Sequence, residues 1–191
     1  LREINRELAT LELAFGKNVL DETNDFLLTI NNKKDLSGLP DDIISMASQT
    51  AQEYGIAGHW VFTLDRSNLI PFLQYADNRS LRKEIFTAYI SRCNRGNTSD
   101  NKDTINKIIN LRIEKAKLLG YDTYADFSLE ETMAKTPERV YSFLNDIWEG
   151  ALFKAKQERD KLQQLIFAEN GSFKLEPWDW WYYAEKLRKE K

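Results

Sequence analysis

The chain has 191 residues, 42% of them hydrophobic and 30% charged, with a formal net charge of −3. That length buries a core as one domain or two tightly packed helical subdomains, and an acidic balance without a basic stripe argues against a nucleic-acid binder. No run of 18 apolar residues offers a membrane span, and the single cysteine, Cys93, excludes an internal disulfide.

The pattern is helical nearly throughout. A first long helix is expected from the start to about Ile30, with Ile4, Leu8, Leu11 and Phe15 drifting slowly around one face. Asn31 to Asp35 is a polar turn. Pro40 opens a second helix to Tyr54, with Asp41 and Asp42 in its first turn, where the helix dipole favours negative charge, and Gly55 ends it. Trp60 to Leu64 is short and β-rich, the best strand candidate. Ser67 is a candidate cap for a short helix over LIPFLQYA, and Asn78 or Ser80 starts the next, to about Cys93. Residues 94–103 (NRGNTSDNKD) form the clearest loop.

Asp103 or Thr104 is expected to cap a helix ending at Gly120. Ile105, Ile108, Ile109, Ile113, Ala116 and Leu119 make its main face, while Leu111 and Leu118 lie elsewhere, so it should pack between neighbours. A short helix follows near Thr123–Phe127. Thr136 then caps a long helix, with Pro137 at its first position and Glu138 at the positive end of the dipole. Val140, Phe143, Leu144, Ile147, Trp148, Ala151, Ala155, Leu162, Leu165 and Ile166 form one stripe, and Asn170-Gly171 stops the helix beyond Ala168. Residues 172–175 (SFKL) could be a second strand and pair with Trp60–Leu64, because an isolated strand leaves its backbone groups unpaired. The fold class is therefore mainly α: a multi-helical bundle of amphipathic helices with at most a short two-stranded β ribbon.

No residue pattern in the chain carries chemistry. His59 lacks any nearby His, Cys or spaced carboxylate set and reads as a helix-end or packing histidine. Glu130 and Glu131 are helix neighbours that point apart, and Asp41-Asp42 are helix-start charges, not a metal pair. Cys93 reads as a buried, inert thiol. In PWDWWYYAEKLR, Trp178, Trp181 and Tyr182 share one side of a helix and Trp180, Tyr183 and Leu187 the other, the pattern of a helix buried between layers rather than a stacking platform. No residue is assigned as catalytic, cofactor-binding or metal-binding.

The runs LQYADNRSLRKEIFTAYISR, DFSLEETMAKTPERV and PWDWWYYAEKLR, in that order, resemble the thimet oligopeptidase and peptidyl-dipeptidase family of zinc metallopeptidases, over essentially the whole chain. The likeness is closer to the bacterial peptidyl-dipeptidases, which remove dipeptides from peptide C-termini. The resemblance implies two helical halves around a deep cleft, with one zinc held by a His-Glu-x-x-His helix and a downstream Glu. One histidine cannot build that site. Tyr75, Arg79 and Arg82 are candidates to line the channel, but nothing in the sequence shows which residues face it.

Residues 1–191 thus read as a single helical fragment of the N-terminal, non-catalytic half. It begins in helical register without an N-cap and stops at LRKEK without a helix terminator; trimming of processed or disordered ends is the alternative. Zinc is expected in the parent enzyme and none in this fragment, which alone should be inactive. The expected partners are the C-terminal catalytic half and short peptides, with no nucleic acid and no membrane, in the cytoplasm. A stand-alone helical interaction module without chemistry is the runner-up. An exposed apolar patch is expected near the C-terminal Trp/Tyr cluster.

Overall fold

The computed structural model describes residues 1–189. Its elements are α1 (Arg2–Asp25), β1 (Leu28–Ile30), α2 (Asp41–Glu53), β2 (Trp60–Phe62), α3 (Arg66–Tyr75), α4 (Arg79–Ile90), α5 (Lys102–Leu118), α6 (Tyr124–Leu129), α7 (Pro137–Ala168) and α8 (Trp180–Lys189). Short 3₁₀ turns span Lys33–Leu36 and Pro177–Asp179. The fold is mainly α, and among the described residues the only sheet is a two-stranded ribbon. The chain divides into two compact units, Leu1–Val19 with Cys93–Gln157, and Leu20–Arg92 with Glu158 onward.

The second unit holds the main core. Leu28, Ile30, Leu36, Phe62, Leu64, Phe72, Leu73 and Ile85 are buried together, with the Phe62 and Phe72 rings 4.6 Å apart. The ribbon is antiparallel, with Leu28 opposite Phe62 and Ile30 opposite Trp60. This corrects two expectations. The first helix ends at Asp25 rather than near Ile30, because Leu28 and Ile30 face the core with Thr29 outward, an alternation that only a strand provides. The partner of Trp60–Phe62 is therefore this segment and not 172–175. The latter is no strand: its backbone is served by one side chain, with Gln163 Nε2 donating to the Phe173 carbonyl (3.0 Å) and the Leu175 amide donating to Gln163 Oε1 (2.8 Å). A side-chain amide stands in for a neighbouring strand.

The caps follow from local chemistry. Asn78 accepts from the amides of Ser80 and Leu81, which starts α4. Thr136 accepts from the Arg139 amide at the head of α7. At its tail Asn170 takes φ +62°, the Gly171 amide donates to Ile166 O (2.8 Å), and the Asn170 amide donates to Phe167 O (3.0 Å). That is the paired closure of a Schellman turn. Asp65, not Ser67, precedes α3, since Asn68 and Leu69 amides already donate to its carbonyl.

In the first unit, α5 starts at Lys102, after Asn101, rather than at Asp103 or Thr104. Asp100 accounts for the shift: it accepts from the Gly96 amide (2.7 Å) and the Lys102 amide (2.9 Å), which folds the loop back and brings helical geometry forward. Asn101 is fully buried and ties the loop to α1, accepting from Asn18 Nδ2 (2.9 Å) and donating to Phe15 O (3.2 Å). Ile4, Leu8 and Ile108 are the buried centre of this unit. Thr123 and Asp126 form a reciprocal capping box at α6.

Gly38 shows how tightly the second unit is closed. Its φ is +85°, and a Cβ there would stand 2.2 Å from Tyr75 O and 2.7 Å from Asp77 Oδ1. Gly55 has φ +72° but open space around it. Gly55→Ala should cost about 1 kcal/mol, the left-handed backbone penalty alone. Gly38→Ala should cost clearly more, because strain and collision add. Urea unfolding of both variants checks this; equal losses would show that the Gly38 contact relaxes at no cost.

Candidate functional site

The densest polar constellation lies in the second unit, where the 177–189 segment meets α3 and α4. Arg79 and Arg82 are one helical turn apart on α4 and so point the same way. Between them sits Asp179, with no exposed surface. Arg79 binds it through Nε (3.0 and 3.1 Å) and Nη2 (2.8 Å). Arg82, 1% exposed, donates Nη2 to Asp179 Oδ1 (3.0 Å) and Nη1 to the carbonyls of Ala76 (2.7 Å) and Asp77 (3.1 Å). The Glu176 amide completes the shell of Asp179 at 3.1 Å. Aromatic faces cover both cations: Phe173 lies 4.2 Å from the Arg79 guanidinium, and Tyr182 lies 4.1 Å from that of Arg82.

A second layer surrounds this pair. Tyr182 donates to Asp77 Oδ1 (2.7 Å) and Ser37 donates to Asp77 Oδ2 (2.6 Å). Tyr75 donates to Glu185 Oε1 (3.2 Å), whose carboxylate is also forked by Arg188 at 2.7 and 2.8 Å. Lys186 reaches both oxygens of Glu169 (2.7 and 2.9 Å). Burial acts to raise the Asp77 pKa, but the hydrogen bonds from Ser37 and Tyr182 outweigh it and hold the carboxyl below its ordinary value. The Arg188 guanidinium likewise depresses Glu185. Burial, then the carboxylate each one meets, pushes the Tyr75 and Tyr182 phenols up. Carboxylates held as anions and phenols held neutral make poor proton carriers near neutral pH. The contacts of the constellation tie the 177–189 segment to α3 and α4.

The sequence-marked residues fall out as follows. Tyr75, Arg79 and Arg82 come together, as partners of Glu185 and Asp179. His59 is half-buried before β2, and its Nδ1 is buried without a partner. No group of three or more His, Cys, Asp or Glu residues that could hold a metal occurs among the described residues. His59 alone does not fit a zinc site. Glu130 accepts from the Tyr121 hydroxyl, and its carbonyl accepts from Lys135 Nζ (3.1 Å). Asp41 and Asp42 lie exposed in the first turn of α2. Cys93 is buried. In the aromatic run, Tyr182 and Tyr183 are buried, Trp178 and Trp180 are half-buried and Trp181 is 41% exposed. Trp178 belongs to the 3₁₀ turn, so a helical wheel drawn through it misplaces it. Trp181, Trp180, Pro177, Leu175, Glu176 and Arg159 line an open surface groove of about 410 Å³.

Asp179 was not legible as a site residue, since one acid inside an aromatic run looks like solubilising charge. The available signal was the Arg79-x-x-Arg82 spacing, which demands an anion if the face is buried.

Asp179→Asn should lose about 3 kcal/mol or more, because two arginines, one fully buried, lose their counter-charge. Arg79→Met should lose about 1 kcal/mol, since that side chain is 35% exposed. Denaturant titration ranks them, and an Arg79 loss equal to that of Asp179 would place the weight on the exposed arm. Asp77, with a folded pKa below its ordinary 3.8, adds stability that is full above that value and lost as pH falls through the depressed one. Asp77→Asn should therefore destabilise at neutral pH, and the gap should close in acid. A gap that stays constant from pH 7 to 2 would contradict the assignment.

The matching relatives are peptidases. Residues 72–191 match the family model described as peptidase family M3. Oligopeptidase A of Haemophilus influenzae is 36% identical over 190 residues, 97% of this chain and 28% of the relative. Dipeptidyl carboxypeptidase of Escherichia coli is 31% identical over 191 residues, 100% of this chain and 28% of the relative. A probable cytosolic oligopeptidase A of Arabidopsis thaliana is 37% identical over 199 residues, again 28% of its length. The chain thus spans a little over a quarter of each, and its matched segment contains the network from Tyr75 to Arg188 apart from Ser37: this chain belongs to peptidase family M3.

Proposed function

We propose that the chain is the scaffold and substrate-channel portion of a peptidyl-dipeptidase, a larger peptidase that releases dipeptides from the C-termini of short peptides. The observation that carries the reading is end-to-end alignment with peptidases whose names include dipeptidyl carboxypeptidase. The polar network fits a wall rather than a catalyst. Its carboxylates are each gripped by arginines or hydroxyls, which supports a scaffold role.

The bond-breaking chemistry of such an enzyme is supplied by zinc, and no donor set for it occurs among the described residues. The metal, the catalytic carboxylate and the groups that grip substrate would come from the remainder of the polypeptide. The fragment alone should then be inactive, with the C-terminal catalytic half and short peptides as its partners. No helix among the described residues is long and apolar enough to cross a membrane. A cytoplasmic setting suits an enzyme that consumes short peptides, and one relative is named as probably cytosolic.

Internal cleavage is the second reading, favoured by the higher identity to oligopeptidase A, 36% against 31%. The two differ in one respect: whether the free carboxylate of the substrate fixes the cut. The complete polypeptide, incubated with a peptide mixture and its C-terminally amidated counterparts, should release dipeptides from the free acids and spare the amides, read by mass spectrometry. Internal cuts indifferent to amidation would move the protein to the oligopeptidase reading. No cutting with zinc present would overturn both.

A further inference from the structure

The first half of α7 is bare. Phe143, Leu144, Ile147 and Trp148 are all exposed, Trp148 at 61%. At 100° per residue these four share one stripe with Val140, Ala151 and Ala155, while Glu138, Glu149 and Lys156 lie opposite. Nothing about the stripe is solvating. Over 140–151 it contains aromatic and aliphatic side chains without an intervening charge, Lys154 and Glu158 being the first charges on that side, and this is the composition of a domain interior rather than of a transient interface. Beyond Lys154 and Glu158 the same side of the helix carries Leu162 and Ile166, which are buried against Tyr182 and Tyr183. One helix thus presents a single apolar face that is packed at its C-terminal end and uncovered at its N-terminal end.

The unit that carries this bare half is poor in core. Its cluster of buried residues is Ile4, Leu8 and Ile108. The α5 face expected to pack between neighbours is largely open, with Ile105, Ile109 and Ile113 exposed. Phe15, Ile105, Ile108 and Ile109, flanked by Glu12 and Arg112, line an apolar groove of about 320 Å³. By contrast the other unit buries fourteen residues in one cluster. Ordering some eighty residues around so few buried side chains is not self-sustaining.

We propose that the N-terminal half of α7, together with the exposed isoleucines of α5, is an intramolecular docking surface. Its occupant is apolar helical polypeptide of the same chain lying outside residues 1–191. Three observations favour that occupant over a second copy. The curated relatives are more than three times longer than the part aligned here, so they have the chain to cover it. The family match runs through both helices, which makes them part of the family's shared fold and not an appended surface. And the helix side that carries the stripe is buried within this chain farther along, at Leu162 and Ile166. The inference rests on the reading of this chain as part of a longer peptidase, though not on which bonds that peptidase cuts.

The test uses the complete polypeptide. Ile147→Cys and Glu149→Cys sit on the stripe and opposite it. Maleimide labelling, read peptide by peptide so that Cys93 does not interfere, should be about ten-fold or more slower at position 147 than at 149. The ratio should not change with protein concentration. Equal rates would overturn the proposal, and protection that appears only as concentration rises would assign the face to a second copy instead. Hydrogen exchange on the unmodified polypeptide guards against a misfolded variant. Amides of 137–157 should be protected as strongly as those of α4, and rapid exchange there would overturn the docking even if the polypeptide cleaves peptides normally.

Discussion

The second unit depends on one carboxylate. Asp179 accepts from Arg79, Arg82 and the Glu176 amide, and it lies about a hundred residues from both arginines in sequence. Such a contact closes a long loop, whose entropy cost grows only slowly with length once the ends have a reason to meet. The reason here is electrostatic. Arg82 is buried, and a buried guanidinium without a counter-ion would be strongly destabilising. Lysine would not serve in its place. The site uses a planar fork that meets a carboxylate and two backbone carbonyls while stacking on Tyr182.

The ion pair supplies specificity more than net stability. α8 carries Trp180, Trp181, Tyr182 and Tyr183 in succession, and large aromatic faces offer several near-equivalent ways to pack. Apolar burial alone would let such a helix roll. Asp179 at its entrance and Glu185 two turns on fix its rotation, since each finds its partners in only one setting. Asp77 then reads the same setting through the Tyr182 hydroxyl. Three charged contacts define a register that the aromatic rings then fill.

Local chemistry was legible in the sequence and distant chemistry was not. Thr136-Pro137 and Asn170-Gly171 bound α7 at the residues the capping rules indicate, because capping depends only on neighbours three or four positions away. The family was legible for a similar reason, in contiguous runs such as MAKTPE and PWDWWYYAEK. The strand at Leu28–Ile30 was hidden because three residues are too short for periodicity to outvote the helix before them. The role of 172–175 was hidden because its backbone is satisfied by Gln163, a side chain that no strand pattern includes. Asp179 was hidden because burial of a charge is decided by residues a hundred positions away. The apolar stripe of α7 was read correctly as a stripe, but amphipathicity says only that a face needs covering and not whether this chain covers it.

The separation of architecture from chemistry has a physical logic in a peptidase of this kind. A carboxylate that must accept a proton near neutral pH needs a pKa close to the working pH, hence few cationic donors around it. A carboxylate that must hold two helices together needs firm partners instead: Asp179 meets Arg79 and Arg82, and Glu185 meets Arg188 and Tyr75. The two demands cannot be met by the same group, so an enzyme with one active centre relegates most of its ionised residues to the second task. The residues matched to family M3 here, 72 to 191, run from just before Tyr75 to just past Arg188. The family likeness in this stretch therefore coincides with the arginine–carboxylate frame.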